Sequence, residues 1–234
     1  MGQRGWHRRD ARAARGSRLA DPQARRRIAG EYVSGLPRWQ NFAAAAGRDG
    51  IVIAGAPGRR EVEGHSIAAL ARAWGHEPAD AVASLLLELR GDVMVVLHMM
   101  SEADVRLLLG QPGMLIGSDT LPLPGRPHPR TAGTFARVLG RYVRDEQVSD
   151  LPGMIRRMTS VPAERFRLGR RGVVAKGYAA DLVLFDPASV VDRATFTDPL
   201  LPPLGVRGVF VDGHAVVLDG ADTGARPGRV LEPA

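Results

Sequence analysis

The sequence predicts an α/β fold, and three observations carry that reading. Two continuous apolar runs, Val93–His98 and Met114–Gly117, look like strands buried on both faces. Between them lies a helical segment opened by Ser101-Glu102-Ala103-Asp104, in which a Ser N-cap and an acidic residue three positions on satisfy free N–H groups. From Gly169 onward the texture changes to short β-branched runs broken by glycine. Strand, helix and strand at the first spacing predict a parallel crossover unit.

The remaining elements follow in order. Asp21-Pro22 marks a helix start that runs through Ala24–Val33 and stops at Gly35. Ile51–Ala54, before Gly55, Pro57 and Gly58, is a short buried strand leading into a loop. Ile67, Leu70, Ala71 and Trp74 recur at helical spacing, and Val82, Leu85, Leu86 and Leu89 repeat it after Pro78, so two amphipathic helices meet at Gly75. The first of these helices ends there. Gly110 and Pro112 close the helix Glu102–Leu109. Phe135, Val138, Leu139, Tyr142 and Val143 share a face of a further helix, and Met154, Ile155 and Met158 mark a shorter one. Leu182–Phe185 reads as a strand, and Asp212-Gly213 between Val209–Val211 and Ala215–Leu218 predicts a type I′ hairpin. A boundary falls near residue 168, with 19–168 before it and 169–234 after.

Composition narrows the function classes. At 44% hydrophobic and 24% charged residues over 234 positions, the chain is built to fold. No run is long and apolar enough to span a bilayer, and the Arg-rich start lacks the apolar segment of a secretory signal, so a cytoplasmic location is expected. Nine Arg between residues 1 and 27, against Asp10 and Asp21, account for the whole net charge of +7. The excess is confined to this terminal stretch, of which residues 1–18 are a basic lead-in expected to be disordered, and this argues against a nucleic-acid groove within the fold. With no cysteine, a metal would have to be held by His, carboxylate or a modified Lys.

In α/β folds of this kind, chemistry gathers at the carboxyl ends of strands, where His98 and Asp119 fall. Taken alone, Asp119 in its Gly-Ser-Asp setting reads as a carboxylate that caps a loop. His98 reads as a hydrogen-bonded structural residue with an alternative as a loose neighbour of a metal centre. His65 and His214 read as surface residues.

The run GSDTLPLPGRPHPR, Gly117–Arg130, and the longer stretch Ser101–Arg144 around it, resemble the closing segment of N-acyl-D-amino-acid deacylases, the D-aminoacylase family of metal-dependent amidohydrolases. Met158–Asp186 and the end of the chain to Leu231 continue the similarity, and a weaker one reaches back to Leu19. The resemblance implies the last strands of a TIM-like (β/α)8 barrel followed by a small β-sandwich segment. It also implies zinc as cofactor and an N-acyl amino acid as substrate. Asp119 matches the family's catalytic acid/base; Arg130 matches a position suited to clamp a substrate carboxylate, with loop ordering as the alternative; His128 orders the loop or contacts substrate. The family's His-x-His pair and its later metal-binding residues have no counterpart here, so stable zinc binding by this chain alone is not expected. The expectation is a C-terminal fragment or half of a split enzyme, with an upstream-encoded half or self-association completing it. The rival reading is a non-catalytic interaction or oligomerisation module.

Overall fold

A computed structural model describes residues 16, 18–121 and 124–232. The basic lead-in therefore lies almost wholly outside the described residues. The chain forms two compact units, Met1–Met99 with Pro122–His128, and Met100–Leu121 with Pro129–Ala234.

In the first unit the predicted helix start is realised: helix α1, Pro22–Ser34, is capped by the Asp21 carboxylate, which accepts from the Gln23 N–H, and ends at Gly35. A short helix α2, Phe42–Ala46, follows with Asn41 as its cap. Strand β1, Ile51–Gly55, then leads through a 3-10 turn at Arg60–Val62 to helices α3, Ile67–Trp74, and α4, Pro78–Glu88. Gly75 stands between them in the left-handed conformation (φ 65°), where a side chain is costly. The two helical apolar faces meet β1: Ile53, Ala56, Val62, Ile67, Leu70 and Leu85 form one core, with Trp74, Val82 and Leu89 at its margin. Strand β2, Met94–Leu97, pairs with β1 antiparallel, with Val52 opposite Val96.

The second unit opens with helix α5, Glu102–Leu109, whose Ser101 hydroxyl accepts from the Asp104 N–H as expected. Helix α6, Arg130–Arg137, continues into a π-helical stretch, Val138–Asp145. Gly140 lies in that stretch, and a methyl group there would stand 2.5 Å from the Val190 carbonyl oxygen. Its bare backbone lets the segment around Val190 lie against the helix. Arg144 Nη1 fastens the contact by donating to the same carbonyl (2.6 Å). Helices α7, Leu151–Met158, and α8, Ser160–Arg165, complete the helical layer. Met154, fully buried, packs with Val138, Tyr142 and Val143, while Leu139 packs with Ala136 and Val190. The remaining strands, β3 Leu182–Phe185, β4 Val206–Val211, β5 His214–Leu218 and β6 Ala221–Asp222, form one antiparallel sheet in chain order. Asp212 (φ 49°) and Gly213 (φ 80°) make the β4–β5 turn with the two positive φ angles a type I′ hairpin needs.

One expectation is corrected. Met114–Gly117 joins no strand ladder, and every strand pairing among the described residues is antiparallel, so the parallel crossover unit is not formed. The physical reason is that a short apolar run does not report partner direction, nor are these runs buried on both faces, since Val95 is 41% exposed and Met114 38%. The 38 residues between β1 and β2 contain two helices, room enough for the chain to return antiparallel. Ile116 is half-buried, packed against the helical core instead of within a sheet.

Charge ties the helical layer of the second unit together. Glu146 accepts from Arg106 Nε (2.7 Å) and Arg141 Nε (2.9 Å), and these bonds hold its carboxyl at about 2, below the ordinary 4.5. A depressed carboxylate stabilises the fold fully above about pH 4.5, and that contribution is lost as the pH falls toward 2. Urea midpoints of the full chain should therefore drop over that window, and Glu146→Gln should flatten the drop. Met154→Ala should cost about 2–5 kcal/mol at neutral pH, measured by the same denaturation.

Candidate active site

The segment from Gly110 to Leu121 reaches its place without a sheet ladder, so something else must hold it. Arg157 does. Its side chain, only 6% exposed, enters the apolar face of α7 beside Met154 and Met158. Its Nε donates to the Met114 carbonyl and its Nη1 to the Leu109 carbonyl, both at 2.6 Å. The Ile116 N–H in turn donates to the Arg157 carbonyl (3.4 Å). A single buried guanidinium thus collects the end of α5 and the run that leads to Asp119, with charge-assisted bonds that are stronger than neutral ones.

Asp119 itself sits at φ 47°, a left-handed conformation that Asp tolerates better than most side-chain-bearing residues. Its Oδ2 lies 3.1 Å from Arg130 Nη1 at the first residue of α6, and its side chain is 88% exposed. The neighbouring residues repeat the link, since the Thr120 and Thr131 hydroxyls stand 2.7 Å apart. Two adjacent side-chain contacts, Asp119 to Arg130 and Thr120 to Thr131, clamp the strand-like run to the start of a helix. The arrangement leaves a solvent-open carboxylate beside a guanidinium, a chemical type suited to pairing with carboxylates.

The structure brings Asp119 and Arg130 together, and both belong to the second unit. His98 and His128 belong to the first. His98 follows β2 and donates its backbone N–H to the Gly50 carbonyl (2.8 Å), while His128 is half-buried after the buried Pro127. His214 lies exposed on its hairpin, Nδ1 3.0 Å from the Asp212 carbonyl oxygen. Arg157 escaped the sequence reading, though a signal existed: an arginine three residues after Met154 and next to Met158 is on the core face of its helix. The Thr120–Thr131 contact had no such signal.

Residues 23–217 match the model of the amidohydrolase family, most of the chain. The chain belongs to the amidohydrolase family. Within it the similarity runs to the D-aminoacylases, as the Gly117–Arg130 run implied. The chain is 45% identical over 139 residues to an N-acyl-D-aspartate deacylase of Alcaligenes xylosoxydans xylosoxydans, which covers 59% of this chain and 28% of that protein. It is 47% identical over 136 residues to a D-aminoacylase of the same organism, covering 58% and 28%. Among solved structures, N-acyl-D-glutamate deacylase from Bordetella bronchiseptica, complexed with zinc and a phosphonate mimic of the tetrahedral intermediate, superposes with a TM-score of 0.71 at 38% identity. That match takes in 82% of this chain and 39% of the other. The matched part of the chain thus spans under a third of the length of these two curated relatives.

The donor set does not fit a metal by itself. The chain has no cysteine, no three His, Asp or Glu side chains converge among the described residues, and the Asp119 carboxylate is engaged by a cation. If Arg157 holds the Asp119 segment, Arg157→Met should cost about 1.5–3 kcal/mol for each charged bond lost, and amide hydrogen exchange at Ile116 should accelerate. Arg156→Met, an exposed neighbour, should leave both unchanged.

Proposed function

We propose that this chain contributes the proton-transfer and carboxylate-recognition groups of an amide hydrolase acting on N-acyl-D-amino acids. The observation that carries the reading is the Asp119–Arg130 pair at 3.1 Å, which lies within the residues that match the amidohydrolase family. Asp119 takes a proton from the attacking water and returns it to the departing amine nitrogen, which completes hydrolysis with the carboxylate regenerated. Arg130 exchanges its intramolecular carboxylate for that of the substrate, a guanidinium being suited to two parallel hydrogen bonds. His128, in the first unit, orders its own loop in this reading. Residues 19–168 are then the barrel-derived part and 169–234 the small β-sandwich segment.

Since the described residues supply no metal donor set, the proposal assigns metal binding to barrel strands outside this chain, as in a split enzyme whose other half is encoded upstream. Zinc is expected to bind the assembled enzyme and not this chain alone. The test is hydrolysis of N-acetyl-D-amino acids by the full chain, alone and mixed with the upstream-encoded product. Turnover should require the mixture, and Asp119→Asn should lower kcat/KM about 10²–10⁴-fold. Arg130→Lys should raise KM more than it lowers kcat. Robust turnover by the chain alone with one equivalent of zinc would sink the division of labour, and an Asp119→Asn variant of full activity would sink the role of that carboxylate.

A further inference from the structure

Strand β1 carries an irregularity that its pairing with β2 does not use. Ile53 stands opposite Val95 and Gly55 opposite Met94, so Ala54 is an extra residue with no partner on β2. Such a bulge frees a backbone group for another contact. The Ala54 carbonyl accepts from the Arg126 N–H at 2.6 Å, in the loop that separates Asp119 from Arg130 along the chain. The loop's backbone comes in close there. A methyl group on Gly125 would stand 2.6 Å from the same carbonyl oxygen and 3.0 Å from Gly55 Cα, and one on Gly55 would stand 3.2 Å from the Pro124 carbonyl oxygen. Glycine faces glycine across the contact, and Gly125 adopts φ 95°, which side-chain-bearing residues rarely do. The β1 side is firm: Ala54, Gly55 and Ala56 are buried, and Glu63 holds the turn beyond them by accepting from the Ala56 N–H (2.9 Å).

The roots of the same loop belong to the candidate site. The chain leaves the second unit after Leu121 and returns to it at Pro129, while residues 124–126 dock within the first. Just outside the two roots stand the Asp119–Arg130 ion pair and the Thr120–Thr131 hydroxyl contact. The loop is therefore closed at its stem and pinned at its tip. Asp119 holds φ 47°, a backbone state that a side-chain-bearing residue keeps only where its surroundings over-determine it. The pin supplies that restraint, because a loop fixed at its tip has few conformations to pass on to its roots. We propose that Gly125 is a positioning residue: by docking on the Ala54 bulge it holds the Asp119 carboxylate and the Arg130 guanidinium as the pair that the hydrolytic reaction uses. This inference rests on the reading of that pair as the proton-transfer and carboxylate-recognition groups. Arg126 takes part through its backbone N–H, so its side chain is dispensable to the docking.

The test is nitrogen NMR of the full chain, read at the Arg130 guanidinium Nε and the Asp119 amide, with N-acetyl-D-alanine as the ligand. Gly125→Ala should shift both signals in the free protein and weaken saturation of the Arg130 signal by the ligand about tenfold. Arg126→Pro, which deletes the N–H donor, should act in the same direction; Arg126→Ala, which keeps it, should not. Gly35→Ala is the control for backbone strain, since Gly35 has φ 73° but nothing within 4 Å of the added carbon, and it should leave the Arg130 and Asp119 signals unmoved. Unmoved signals in Gly125→Ala, or shifts no larger than those of Gly35→Ala, overturn the positioning role. A wild-type Arg130 signal that ignores N-acetyl-D-alanine overturns the substrate reading on which the role rests, and the shifts in the free protein still decide whether the docking holds the pair.

Discussion

A buried guanidinium is costly unless its donors are met; Arg157 meets two of them with backbone carbonyls of a segment that has no ladder of its own, while its Nη2 is buried without a partner among the described residues. The exchange serves both sides. The arginine is retained inside the apolar face of α7, and the run from Leu109 to Ile116 acquires a fixed position. The clamp of Asp119 on Arg130 and Thr120 on Thr131 is built at the far end of that run, against the start of α6. The π-helical stretch that continues α6 is itself placed by the close approach of Gly140 to Val190 and by the packing of Leu139. Remove Arg157 and the carboxylate loses its foundation while most of the core remains.

Much of the fold was legible because local rules agreed with global packing. Asp21 and Ser101 each cap the helix that follows, Gly75 ends α3 in the left-handed region, and Asp212-Gly213 turns the hairpin. Strand partnership was not legible. Val93–Leu97 and Met114–Gly117 have the same apolar character, yet the first pairs antiparallel with β1 and the second pairs with nothing among the described residues. Neither run is buried throughout, and which neighbour satisfies its backbone is decided by distant residues, here Arg157 for the second.

The site divides along the same line. Asp119 and Arg130 were found from the motif that contains them, and the structure supplies the distance that makes them a pair. The members of the pair are eleven positions apart, a separation from which no spacing rule predicts contact. The curated relatives are far longer than the part matched here, and among the described residues of this chain no three metal-donor side chains converge. Membership of an enzyme family and sufficiency for its chemistry are separate properties, and the distribution of ligating side chains decides the second.

The most direct measurement on the central claim is a titration of the full chain with N-acetyl-D-amino acid, read at the Arg130 guanidinium Nε resonance by nitrogen NMR. The account requires saturable perturbation of that signal as the ligand carboxylate replaces Asp119, and its loss when the ligand carboxylate is converted to a neutral amide. A signal that stays unmoved, or that responds equally to the neutral amide, would contradict the assignment of Arg130 and Asp119 to substrate chemistry.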